Sequence, residues 1–413
     1  MKGLRLGTYY HPEITAASHL LDDVFEGCAN AGIEIAVYVP SPSRGLDDAV
    51  RKQYKRRKTE VLHGGRIIIH RFPMIIERKS FIQRALRYLL CNISGYFHGI
   101  KEKDVDIVLC SSTPPTQGML SALVAKKLSK KSGKKTPFIY DLQDVFPDSL
   151  VNAGFAHKGG LLWKIGRKIE DYTYKNADKI IVISNSIKRN IMEKGVPEEK
   201  IEVISNWIDL DSVHPVERKE NTLISEFGLN PNKFIVVYAG NFGAVQGADI
   251  VLKVAKELVE EKDIQFVIFG GGPYFEEAKK EAEGIENVFI HELMPQDRVS
   301  EVYSLGDVAL ITCKAGTGKA GMPSKTWSIM ACNTPIIASF DTDSDLADVI
   351  RDSGAGECVE PESVQVLTEA IFKQFTARKN GSNEKSDLRT YVEHNASKEI
   401  CVERYIDCIL EFT

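Results

Sequence analysis

Residues 233–261 read KFIVVYAGNFGAVQGADIVLKVAKELVEE. The run FIVVYA is of strand length, rich in Val and Ile, and shows no polar alternation, as expected of a strand covered on both faces in a parallel sheet. Gly240, Gly243 and Gly247 follow it, and then Ile250, Val251, Val254 and Leu258 recur at helical spacing. Strand, glycine turn and helix in that order make one β-α unit, and repetition of such units builds a doubly wound sheet.

The unit does repeat. Downstream come IQFVIFGGG (264–272), NVFIHEL (287–293), DVALITC (307–313) and TPIIASF (334–340). Upstream stand LRLGTYY (4–10), IEIAVYV (33–39), RIIIHRF (66–72), VDIVLCS (105–111), PFIYDL (137–142), KIIVIS (179–184) and IEVIS (201–205), with helical segments between most of them. A chain of 413 residues exceeds what a single core supports, roughly 250 to 300 residues. The strand-helix rhythm breaks at SNWIDLDSVHPVERKE (205–220). The expected organisation is therefore α/β, with two Rossmann-like domains over residues 1–210 and 211–392 and a closing helix over 393–413. Ligands of open α/β sheets bind beyond the carboxyl ends of the strands, so two such sheets place the site in a cleft between them.

The two halves differ in charge. Residues 1–200 carry 33 Lys and Arg against 21 Asp and Glu, while residues 201–413 carry 20 against 36. The basic excess gathers in RKQYKRRK (51–58), around Arg78, Lys79, Arg84 and Arg87, and in KKLSKKSGKK (126–135). Each run alone reads as a solvated face; three in one half point to an anionic surface or substrate. Nucleic acid is not expected, because no recognition module accompanies the charge. The eight cysteines have no C-x-x-C spacing, which speaks for reduced core thiols and against a metal site. With no signal pattern at the start and no membrane-length apolar run, a cytoplasmic protein is expected.

Three glycine loops fall at one edge of the second domain. Gly270, Gly271 and Gly272 end one strand, Gly240, Gly243 and Gly247 follow another, and GTGKAGMPSK (316–325) follows a third. The last contains G-x-G-x-x-G, yet it lies deep in the domain with Pro323 between the glycines and the helix, unlike a dinucleotide fingerprint. It also lacks the first glycine and the Ser/Thr of a P-loop. Pro323 and Ser324 read as helix-start residues, with the helix placed over 324–331, and Lys325 puts a cation in the first turn, where it opposes the helix dipole. A bound diphosphate would remove that cost.

The order of EVISNWIDLD, VVYAGNFGAVQGAD, FVIFGGGP and PSKTWSIMACNTPIIASFD resembles the GT-B retaining glycosyltransferases of family four, in particular the capsule, exopolysaccharide and O-antigen branch. TYYHPEITAASHLLDDV, LCSSTPPT, FIYDLQDVFPDS and ADKIIVISNSIKRNI resemble that branch's N-terminal domain. The resemblance implies a nucleotide-sugar donor on the second domain, a glycan or polyprenyl-diphosphate-linked acceptor on the first, and a last helix returning to the first. It implies that Gly321, Met322, Pro323 and Ser324 cradle the donor diphosphate and that Lys325 neutralises it, with Gly240, Gly271, Gly272 and Met294 as further donor positions. Asn241 and Gln246 stand where many members carry Arg and Lys. Ala320 and Ser328 stand where members commonly carry two glutamates; Ser328 still offers a hydroxyl to the ribose, and Asp341, Asp343 and Asp345 offer carboxylates nearby.

In the first domain Asp141 and Asp144 end a strand where relatives carry a histidine near the acceptor, and either suits orientation or deprotonation of its hydroxyl. Capping of the next turn competes, above all for Asp148. His11 and Glu13 in the first βα loop suit a substrate contact or a loop role. The expectation is a hexosyltransferase using a UDP-linked donor, without cofactor or metal, and with peripheral membrane contact through the basic half and the segment 81–97. A catalytically silent partner subunit and a GT-B nucleotide-sugar epimerase are the alternatives.

Overall fold

The computed structural model describes residues 1–13, 18–77, 80–152, 156–381 and 387–412; Arg78 and Lys79 of the basic segment lie outside the described residues. The chain divides into two compact units, residues 1–205 with 401–413, and residues 206–400.

The first unit carries eight strands: β1 (Lys2–Leu6), β2 (Glu34–Pro40), β3 (Thr59–Leu62), β4 (Ile67–Phe72), β5 (Ile107–Ser111), β6 (Phe138–Leu142), β7 (Lys179–Val182) and β8 (Ile201–Val203), in the order β3-β4-β2-β1-β5-β6-β7-β8. All neighbours run parallel except β3, which pairs antiparallel to β4 at the edge. The sequence reading missed β3 because TEVL is short, half polar and paired on one side only, so it lacks the Val/Ile run of a central strand. On one face Leu4, Leu6, Val108, Cys110 and Phe138 pack beneath Leu120, Val124 and Leu128 of the helix Gln117–Ser132.

The second unit carries β9 (Phe234–Asn241), β10 (Ile264–Gly271), β11 (Val288–Glu292), β12 (Val308–Thr312), β13 (Ile336–Ser339) and β14 (Gly356–Val359), all parallel, in the order β11-β10-β9-β12-β13-β14. The short edge strand β14, GECV, also escaped the sequence reading. Phe234, Val236 and Tyr238 enter one core while Ile235 and Val237 enter the other, so the run FIVVY is apolar throughout because alternate residues serve opposite faces. In register, Gly240 pairs with Gly270 and Asn241 with Gly271, which brings two of the glycine loops side by side.

The closing helix spans Lys398–Leu410, and from Cys401 it belongs to the first unit, as the resemblance implied. Gly27 admits it: a β-carbon there would come within 2.4 Å of Val402 Cγ1. Arg404 pairs with Glu202 at 2.6 Å, and Lys179 with Glu411 at 2.9 Å. All eight cysteines are free thiols. Among the described residues no helix is long and apolar enough to cross a membrane.

Candidate active site

Lys325 opens the helix Lys325–Ala331, one residue later than the sequence reading placed it. Trp327, Ile329, Met330 and Ala331 anchor this helix in the core. Anchored so, it aims the lysine at the carboxyl end of β9, where Nζ donates to the Ala239 carbonyl at 2.9 Å and sits 4.7 Å from the centre of the Tyr238 ring. Residues 238 and 240 share a face of the strand, and Gly240 leaves room for the ammonium, since a β-carbon there would lie 2.5 Å from Nζ. The residue as a whole is half-buried, but its ammonium end is enclosed, and desolvation lowers its pKa from 10.5 to about 8. No carboxylate among the described residues forms an ion pair with it. An ammonium has three donors, and here one hydrogen bond and one aromatic face serve it. Such a group is prepared for an anion.

The adjoining loops close around this point. Gly272 has φ +100°, and a β-carbon on it would fall 1.8 Å from Asn241 Oδ1. One on Gly243 would fall 2.5 Å from Gln246 Oε1 and 3.0 Å from Asn241 Nδ2, so the two amide side chains meet over Gly243. A β-carbon on Gly271 would fall 3.0 Å from Leu293 Cδ1, and the neighbouring Met294 is half-buried against the core. Gly321 is extended with open space beside it, Met322 packs on the core, and the Pro323 carbonyl accepts from Thr326 N at 3.0 Å. Ser324 occupies the cap position in helical geometry and its hydroxyl makes no cap bond. Ser328 lies one turn beyond Lys325, half-buried.

GTGK proves to be organised around a carboxylate. Gly316 N and Gly318 N donate to the two oxygens of buried Asp341 at 2.8 and 2.7 Å, and Lys319 pairs with Asp343. Amides engaged this way have no claim on a phosphate, which disposes of both the dinucleotide and the P-loop pattern. Asp341 is equally spent, and this corrects the expectation that it offers a carboxylate to the donor. Ala320 belongs to the short 3-10 turn Gly318–Ala320, and its side chain lies outside the described set.

In the first unit Asp141 pairs in register with Ser111 and accepts from Gln143 Nε2 at 2.7 Å. Burial raises its pKa, opposed by buried Arg5, which donates to Ser111 Oγ at 3.1 Å. Asp144 is exposed as a residue, yet contact of its carboxyl with the protein raises its pKa too, opposed by hydrogen bonds from Ser149 and Val145. Asp148 is bound by Lys194 at 2.7 Å and Asn190 at 3.2 Å, a structural pairing that holds its pKa below the usual range against the opposing effect of burial. His11 Nε2 meets Asp22 Oδ2 at 2.6 Å, and Tyr10 donates to the other oxygen of Asp22 at 3.2 Å. Glu13 is buried and accepts from Ser43 N and Arg44 N at 2.7 Å each, tying two strand-end loops together. Arg87, read as part of a basic edge, is fully buried, which corrects that expectation.

Residues 17–212 match the family model Glycosyltransferase Family 4, and residues 219–394 match Glycosyl transferases group 1. The putative colanic acid biosynthesis glycosyl transferase WcaI of Escherichia coli is 26% identical over 420 residues, covering 99% of this chain and all of the relative. Among solved structures, sucrose-phosphate synthase from Thermosynechococcus elongatus aligns with TM-score 0.71 at 14% identity, covering 99% and 98% of the two chains. Anabaena HepE, solved with UDP and glucose, aligns with TM-score 0.69 at 14% identity over the full length of both. The chain is a GT-B glycosyltransferase.

Sequence reasoning missed one residue that shapes this glycosyltransferase's candidate site and gave another a different role. Tyr238 lies beneath the Lys325 ammonium, and the signal available was its period-two spacing to Gly240. Asp341 organises the loop 314–320 across a separation of more than twenty residues, for which local sequence carries no signal.

Proposed function

We propose that this glycosyltransferase moves a hexose from a nucleoside-diphosphate sugar, UDP-linked, to a glycan or polyprenyl-diphosphate-linked acceptor in cell-surface polysaccharide synthesis, with retention of configuration. The observation that carries the donor reading is the enclosed Lys325 ammonium without a carboxylate partner, beside the loops of Gly240, Gln246 and Gly272. In the reaction the bond from the anomeric carbon to the diphosphate oxygen breaks, its electron pair leaves with the nucleoside diphosphate, and the acceptor hydroxyl oxygen bonds to that carbon. Lys325 meets the charge gathering on the leaving diphosphate, the largest electrostatic demand of the step. The open backbone of Gly321 to Ser324 and the amides of Asn241 and Gln246 hold the same group, Met294 and Gly271 border the nucleoside, and Ser328 serves a ribose hydroxyl. Asp141 or Asp144, both with raised pKa, takes the proton from the acceptor hydroxyl. The UDP found on HepE and the polysaccharide role in the name of the E. coli relative support this reading.

Thermal denaturation of the full chain with UDP, GDP, dTDP and NAD tests it. UDP alone should raise the midpoint; a response to NAD alone, or to none of the four, contradicts it.

Surface pattern also favours peripheral docking on an anionic bilayer. Leu86, Leu89, Ile93 and Phe97 are 48, 56, 46 and 53% exposed and form one stripe of the helix Phe81–Gly99, opposite its buried Arg87, Cys91 and Gly95. The helix Gln117–Ser132 packs against this helix and against Leu161–Asn176, which exposes Leu161 and Leu162, and it adds exposed Lys126 and Lys127. Apolar side chains beside lysines suit a lipid surface. Sedimentation with phosphatidylglycerol vesicles should carry the protein down, and Leu89→Ser/Ile93→Ser should abolish it; equal sedimentation of the two proteins refutes the assignment.

A further inference from the structure

Three arginines of the first unit converge on one carboxylate. Glu77 lies 3.5 Å from Arg87 Nη1, 3.4 Å from Arg84 Nε and 4.0 Å from Arg44 Nε, and it accepts the Tyr9 hydroxyl at 2.6 Å. Its side chain is 5% exposed, against 47% for Arg84 and 56% for Arg44. Arg87 is committed inward, donating to Ser43 Oγ at 2.9 Å and the Thr8 carbonyl at 3.3 Å and lying 4.7 Å from the centre of the Tyr9 ring. The other carboxylate here is Glu13, 4.0 Å from Arg87 Nη2. Three guanidinium groups thus face two carboxylates, and burial pushes the pKa of Glu13 up, which weakens its share. The surplus positive charge rests on the two exposed arginines.

The cluster is also polar beyond its own needs. Arg87 Nη1 and Glu13 Oε2 are buried and lack hydrogen-bond partners. Arg44 lies 5.4 Å from the centre of the Tyr9 ring, which together with Glu77 restrains a side chain that is otherwise long and free. Thr8 and Tyr9 follow β1, Ser43 and Arg44 follow β2, and Glu77 follows β4; these three strands are adjacent in the sheet. The carboxyl edge of an open α/β sheet is where its ligands bind.

We infer that Arg44 and Arg84, braced by Glu77, form an anion subsite that takes a phosphoryl group of the acceptor. A guanidinium presents paired N–H donors that match phosphoryl oxygens, and a shared carboxylate lets two of them stand together without repulsion. The inference rests on the reading of the first unit as the acceptor side.

Calorimetric titration of the full chain with inorganic pyrophosphate and with farnesyl diphosphate tests it, alongside UDP. Arg44→Gln/Arg84→Gln should weaken diphosphate binding about tenfold while leaving UDP binding and the melting temperature unchanged, since both side chains are exposed. Lys325→Gln should spare the farnesyl diphosphate titration. Farnesyl diphosphate binding tighter than pyrophosphate supports a lipid-linked source, and equal binding supports the phosphoryl group of a soluble ester. Undiminished titration of both probes by the double variant overturns the subsite even if UDP binds. Absence of UDP binding with loss of diphosphate binding in the double variant keeps the subsite and removes the donor reading instead.

Discussion

The ammonium of Lys325 and the ring of Tyr238 lie 4.7 Å apart, joined by the Lys325 hydrogen bond to Ala239 O at 2.9 Å. The contact depends on Gly240, whose β-carbon would intrude to 2.5 Å of Nζ. A helix start and a strand end, separated by more than eighty residues, thus build one cation site.

Replacement of Lys325 by methionine should separate stability from activity. An enclosed ammonium without a counter-charge costs folding free energy, so Lys325→Met should melt no lower than the parent. Turnover should fall by about 10²-fold or more, because the leaving group loses its principal cation. Calorimetric melting and a sugar-transfer assay give the two numbers; a variant near parental activity removes Lys325 from the mechanism.

The pH dependence of this lysine follows from its depressed pKa, lowered from 10.5 to about 8. Between those values the unfolded chain holds a proton that the folded chain has released, so this group adds stability as pH rises across that window. The melting temperature of the parent relative to Lys325→Met should therefore climb from pH 8 toward 10.5. Donor affinity should fall over the start of the same window as the ammonium is lost, and a flat difference between the two proteins contradicts the assignment.

Gly240→Ala tests the close approach. The added methyl would meet Nζ at 2.5 Å and the Tyr238 hydroxyl at 3.2 Å. A flexible lysine end can swing away, so stability should change by less than about 1 kcal/mol, while donor binding weakens about tenfold. Titration calorimetry with UDP reads the binding, and unchanged affinity counts against a fixed ammonium position.

Asp341→Ala should loosen the loop ahead of the site. It strips the acceptors from Gly316 N and Gly318 N in a buried setting, at a cost of about 2 kcal/mol or more. Asp343→Ala removes an exposed pair with Lys319 and should stay within about 0.5 kcal/mol. Hydrogen exchange over residues 314–320 should rise in the first variant and not in the second; equal effects refute the role given to Asp341.

Much of the architecture was legible in the chain. The Val and Ile runs followed by glycine located the central strands because a strand buried on both faces must be apolar at every position, and β9 meets that demand from two cores. Two edge strands were not legible: β3 and β14 are short, partly polar and paired on one side only, so burial leaves a weak mark on their sequences, whereas the edge strands β8 and β11 were read from IEVIS and NVFIHEL. PSK was found as the start of a helix with a misplaced cation, which is a local electrostatic fact.

The sequence by itself determined that two β-α series exist, where their glycine turns fall and that Lys325 opposes a helix dipole. Only the tertiary structure decided what those groups do. It gave the GTGK amides to Asp341, turned Arg87 from an expected surface charge into a buried one, and laid Lys325 over Tyr238. Pattern and propensity act over a few neighbouring residues, whereas the partner of a charge is set by which strand ends the sheet order brings together.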